Sequence, residues 1–102
     1  MKARIEQKRE QLADLCRQHH VQRLALFGSA LREDFDPEHS DLDFLVEFQS
    51  LPVGTYADTY FGLIDALESL FERRVDLVEA GSVRNPYIRR EIEAHQETLY
   101  AA

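Results

Sequence analysis

From Tyr56 to Phe71 the apolar residues Tyr60, Leu63, Ile64, Leu67, Leu70 and Phe71 recur in steps of three and four. That spacing lines one side of a helix, and it is the strongest periodic signal in the chain. Lys2 to His19 also reads as a helix, but its stripe of Ile5, Leu12, Leu15 and Cys16 is interrupted by Lys8 and Arg9. Three shorter runs have the length and composition of strands. Val21 to Phe27 has an unbroken apolar centre, which predicts burial on both faces. Asp41 to Phe48 is the second run and Arg74 to Glu79 the third. Between the first two strands, Ser29 can cap a short helical turn over Ala30 to Glu33, and Asp34 to Ser40 is a polar loop. Ser50 to Gly54 is another loop. Gly81 and Ser82 turn the chain before a last helix that starts near Asn85 and runs to about Ala94. Asn is a good cap there, and Pro86 suits the first helical position. Glu97 to Tyr100 reads as a short extended piece.

The order is therefore helix, strand, turn, strand, helix, strand, helix. A short link between the first two strands predicts an antiparallel pair. The long helix between the second and third predicts a parallel crossover. The expected class is α+β, with a small mixed sheet of three to four strands flanked by helices.

Bulk properties narrow the picture without changing it. The 102 residues suggest one domain over residues 1–102. Nineteen acids against twelve bases give a net charge of -7, which argues against binding polyanions as the main task. Such a balance suits metal ions, mononucleotides carried with a metal, or a basic protein partner. No apolar run approaches the ~20 residues of a membrane span, and MKARIEQKRE holds no secretory signal. A single cysteine, Cys16, predicts a reducing cytoplasm and, from its place on the apolar stripe, a core position.

The candidate chemistry sits where one apolar run ends and the next begins. Gly28-Ser29 follows Leu24-Ala25-Leu26-Phe27, and Asp41-Leu42-Asp43 leads into Phe44-Leu45-Val46. Alternate residues on a strand face the same way, so Asp41 and Asp43 can share one site. Turns favour aspartate, which accounts for Asp41 alone. Asp43 on an apolar strand costs free energy unless it is exposed or partnered. Asp76 interrupts Val75-Leu77-Val78 in the same manner and completes a triad if the strands are neighbours; an edge strand's solvated face is the plainer reading. Glu79 is assigned to that face with less weight. Glycine lets backbone approach a ligand closely, and a helix beginning at Ser29 aims free N–H groups at an anion. Arg32, one turn on, can reach a terminal phosphate or simply face solvent. His39, His19, His20 and the pairs Arg73-Arg74 and Arg89-Arg90 are read as solvated or helix-end groups.

Leu-Phe-Gly-Ser-Ala-Leu-Arg-Glu-Asp, Ser-Asp-Leu-Asp-Phe-Leu-Val-Glu-Phe, Arg-Arg-Val-Asp-Leu-Val and Asn-Pro-Tyr-Ile-Arg-Arg-Glu-Ile together resemble a minimal nucleotidyltransferase of the polymerase-beta-type superfamily. The resemblance runs from Val21 to the last helix and is narrowest to the antitoxin branch encoded beside HEPN-domain toxins. It implies a nucleotidyltransferase-type fold, with nucleotide held by Gly28, Ser29 and Arg32, and Mg2+ held by Asp41 and Asp43. It implies Asp76 as a third acid that ligates the metal or takes a proton. The implied reaction moves AMP from ATP to a tyrosine of a HEPN ribonuclease toxin, a partner that would form a hetero-oligomer with this chain. The physics agrees: phosphoryl-type transfer is mainly positioning and charge stabilisation. Two other functions stay open: a module that masks the toxin by binding alone, and transfer to a small molecule.

Overall fold

A computed structural model of the protein describes residues 2–28 and 41–102. The helical turn expected over Ala30 to Glu33 and the loop Asp34 to Ser40 lie outside the described residues. The elements run α1 (Lys2–Gln7), α2 (Arg9–Gln18), β1 (Val21–Phe27), β2 (Leu42–Phe48), α3 (Tyr56–Phe71), β3 (Val75–Glu79), a 3-10 turn (Ala80–Ser82), α4 (Pro86–Ala94) and β4 (Glu97–Ala101).

The first helix departs from expectation by dividing at Lys8, whose φ of -104° and ψ of 15° leave the helical region. The ladder nevertheless continues across it, for Lys8 N–H donates to the Arg4 carbonyl at 3.2 Å and the Lys8 carbonyl accepts from Leu12 at 2.9 Å. Lys8 Nζ donates at 2.5 Å to the carbonyl of Leu70 in the last turn of α3. A helix C-terminus leaves such carbonyls without intrahelical donors, so the ammonium caps α3 from the bend of its neighbour. The stripe itself is as expected, with Ile5, Leu12 and Cys16 buried. Just beyond that same end of α3, Glu72 takes a left-handed conformation with φ 55° and ψ 43°. Asn85 caps α4 as expected: its side chain accepts from the N–H groups of Tyr87 and Ile88 at 2.9 and 3.4 Å.

The sheet has the order β3-β2-β1-β4. β1 and β2 are antiparallel, as are β1 and β4, while β2 and β3 are parallel. The extended piece at Glu97 is thus a fourth strand of the mixed sheet. Alternation sends Leu24, Leu26, Leu42, Phe44, Val46, Leu77 and Leu99 to one face, where they bury against α2 and α3. Phe44 stacks on Phe71 with ring centroids 5.9 Å apart. Burying a side chain of this size contributes about 1.5–3 kcal/mol. The other face is mixed: Ala25 and Leu45 are buried, but Arg23, Asp43, Glu47 and Asp76 interrupt it. Of the adjoining pair on α3, Tyr60 is half-buried while Phe61 is 62% exposed, because neighbours one step apart on a helix cannot both face inward.

Candidate functional site

The end of β1 and the start of β2 meet at one point. Phe27 pairs with Asp43, so Gly28 follows directly beside the Asp43 side chain. Gly28 has φ +74°, a left-handed conformation that L side chains avoid. A Cβ there would stand 2.3 Å from Asp43 Oδ2, 3.2 Å from its Cγ and 3.3 Å from its Cβ. Backbone conformation and lack of space therefore both require glycine, and the turn lies against a carboxylate.

The second contact comes from β3. In the parallel pair Asp43 stands opposite Asp76. Opposite residues of neighbouring strands share a face and lie about 4.8 Å apart along the hydrogen-bonding direction. Asp43 is half-buried and Asp76 exposed, so the pair forms a carboxylate step at the edge of the polar face. Asp41 stands one residue before β2 and is exposed. The structure thus brings together Gly28, Asp43 and Asp76, with Asp41 two residues from Asp43. Among the described residues no three His, Cys, Asp or Glu side chains are grouped tightly enough to hold an ion. Ser29 and Arg32, expected beside the nucleotide, lie outside the described residues, as do Glu33 and His39.

Glu79 requires a correction. It is three residues from Asp76, and strand alternation puts it on the opposite face. There it adds to the effect of burial in raising the pKa of Tyr56. Burial, followed by the negative charge of Asp76, also raises that of Tyr60. Tyr60 therefore keeps its proton and donates it to the Leu77 carbonyl on β3. Glu68 accepts a hydrogen bond from the Val75 N–H at 3.0 Å. Neither contact follows from the strand patterns. A signal was present all the same: Tyr60, Ile64 and Glu68 are four apart, forming one half-buried row along α3 that ends in an acid.

Further along the polar face, Leu45 and Glu47 floor an open cleft of about 350 Å³, solvent included. Arg23, Val83, Arg89 and Ile92 line its sides. Arg23 is held there by Glu47 at 2.7 Å. Apart from that cleft, the two carboxylates beside the glycine turn form an arrangement that can take a phosphate chain with a hard cation. No helix among the described residues is long and apolar enough to cross a membrane.

The sequence pattern of the nucleotidyltransferase domain family matches residues 8–97. "Putative protein adenylyltransferase MJ0128" of Methanocaldococcus jannaschii is 38% identical over 91 residues, covering 81% of this chain and 89% of that protein. A solved "putative minimal nucleotidyltransferase" superposes with a TM-score of 0.73 at 33% identity, over 90% of this chain and 89% of that one. A chain from the complex of the tri-AMPylated Shewanella oneidensis HEPN toxin with an MNT antitoxin shares the fold. Its TM-score is 0.65 at 20% identity, over 96% of this chain and 73% of that one. The glycine turn and the carboxylates thus stand in a chain that belongs to the nucleotidyltransferase domain family, and it is a nucleotidyltransferase.

Proposed function

We propose that this chain transfers AMP from ATP to a tyrosine of a HEPN-type toxin in the cytoplasm and so neutralises it. The observation that carries the reading is the register of Asp43 with Asp76, with Gly28 lying against Asp43. Adenylyl transfer by a 38% identical relative's name, and the AMPylated toxin in the solved complex, support the substrate class.

The donor set fits Mg2+. This ion is usually held by one or two carboxylates together with substrate phosphates rather than by an all-protein cage. Asp43 and Asp76 are oxygen donors in register, and Asp41, two residues before Asp43, is the third acid of the proposed set. When bound, the cation would neutralise the phosphate oxygens and polarise the phosphorus. The chain's own groups do the rest. Gly28, with Ser29 and Arg32, holds the triphosphate. The tyrosine oxygen bonds to the α-phosphorus, the bond to the β-phosphate oxygen breaks, and pyrophosphate leaves. The hydroxyl proton passes to Asp76 in this scheme.

Masking by binding alone is the competing reading. It is favoured by α4, where Tyr87 is 78% and Ile88 53% exposed and which offers a partner an apolar surface. The test is the intact mass of a co-expressed HEPN partner, with Asp43→Asn and Asp76→Asn beside the wild type. Added multiples of AMP that fall at least about 100-fold in rate in both variants support transfer. An unmodified but inhibited partner supports masking, and modification at the wild-type rate in both variants overturns the carboxylate site.

A further inference from the structure

We infer that Glu68 and Tyr60 are positioning residues that fix Asp76 by gripping the outer edge of β3 on both sides of it, an inference that rests on Asp76 serving transfer. Among the described residues β3 is an edge strand, paired only with β2. Within a strand the N–H and C=O of one residue point to the same side, and the side alternates. The Arg74 carbonyl accepts from Leu42 N–H at 3.0 Å, so Arg74 and Asp76 turn their backbone groups toward β2. Val75 and Leu77 therefore turn theirs outward, where no further strand among the described residues satisfies them.

Those two outward residues are the ones that α3 holds. Glu68 accepts from the Val75 N–H at 3.0 Å, and the Tyr60 hydroxyl donates to the Leu77 carbonyl. Tyr60 and Glu68 are about 12 Å apart along the helix, and they converge on two residues whose Cα atoms are about 6.5 Å apart on the strand. Asp76 lies between these two groups. Its own side chain is exposed, so close packing does not locate its carboxylate. The backbone of β3 does. Leu77, 3% exposed, sets the depth of the strand against the core. The two hydrogen bonds set its place across the edge. A displacement of about 1 Å from productive geometry can cost roughly 100-fold in rate.

Edge protection alone would also account for two hydrogen bonds, so the experiment separates the two roles. Tyr60→Phe keeps the ring and removes the donor. Glu68→Ala removes the acceptor, while Glu68→Gln keeps one. AMP transfer, the KM for ATP and amide exchange at Val75 are measured for each, beside Asp76→Asn. The expected result is kcat down roughly 10- to 100-fold in Tyr60→Phe and Glu68→Ala, with KM for ATP near the wild-type value. Glu68→Gln should restore most of kcat. Exchange at Val75 should quicken in Glu68→Ala and not in Glu68→Gln, whether or not nucleotide is present. If Asp76→Asn abolishes transfer while Tyr60→Phe and Glu68→Ala keep the wild-type kcat, the positioning role is overturned and the transfer reading stands. If Asp76→Asn itself transfers at the wild-type rate, the reading of Asp76 fails, and the grip on β3 is edge protection only.

Discussion

Gly28→Ala puts a methyl group where the structure has room for none. Two costs separate cleanly. A φ of +74° charges any L residue about 1–2 kcal/mol, whatever surrounds it. The new Cβ would also stand 2.3 Å from Asp43 Oδ2, so an ordinary contact needs the carboxylate to move by about 1 Å. Turning the side chain frees the oxygen at about 0.5–1.5 kcal/mol for an off-rotamer angle. It does not free Asp43 Cβ, which would lie at 3.3 Å and is fixed to β2. The total is about 1.5–3.5 kcal/mol, or a fall in Tm of at least about 6 °C for a domain of this size. Under the proposed transfer, the rate should suffer more than folding, because a carboxylate moved by about 1 Å forfeits roughly 100-fold. A double-mutant cycle with Asp43→Ala isolates the second cost, read from urea unfolding of all four proteins. Gly28→Ala should be less destabilising in the Asp43→Ala background by about 0.5–1.5 kcal/mol, leaving the backbone strain and the contact with the Cβ at position 43. Equal cost in both backgrounds would refute the close approach, and a neutral Gly28→Ala would refute the strain as well.

Two further outcomes are expected. Burial pushes the Cys16 thiol from 9.0 up to about 12, and burial also raises Tyr60 and Tyr56. A raised pKa on a group that is neutral when protonated means stability is intact below the unfolded value and declines above it. The urea midpoint should thus hold from pH 7 to about 9 and fall between about 9 and 12, less steeply in Cys16→Ala; a flat profile would contradict this. Glu72→Gly should raise Tm by about 4–8 °C, because glycine takes the left-handed position after α3 without the roughly 1 kcal/mol that glutamate spends there. Glu72→Ala serves as the control and should gain nothing.

Much of this architecture was legible because local patterns and tertiary burial agree. The 3-and-4 spacing gave α3 its full range from Tyr56 to Phe71, and Asn85-Pro86 marked the start of α4. The strand directions followed from link lengths, and Asp76 fell beside Asp43 once β2 and β3 were parallel. What escaped was long-range. Nothing local to Lys8 announces that its ammonium caps a helix 62 residues away. Glu68 drew no reading from the sequence, since its partner is the backbone of a strand that only the fold brings beside it. The glycine of Gly28-Ser29 was singled out for approach to a ligand. Its nearest structural demand is Asp43, a contact only the β1–β2 register creates. Glu79 was placed on the wrong face by a miscounted pleat.

The position of β4 has a consequence for how the molecule is made. β1 is flanked by β2 on one side and by β4 on the other, where Arg23 pairs with Ala101. During synthesis β2 emerges soon after β1, but about 70 further residues must follow before β4 exists. At 5–20 residues per second that takes roughly 4–14 s. Throughout that interval the apolar run Leu24-Ala25-Leu26-Phe27 presents an open edge, the kind of template on which strands from other chains pair. A substitution that weakens β4 would therefore show first as self-association of newly made chains, long before it reached the carboxylates.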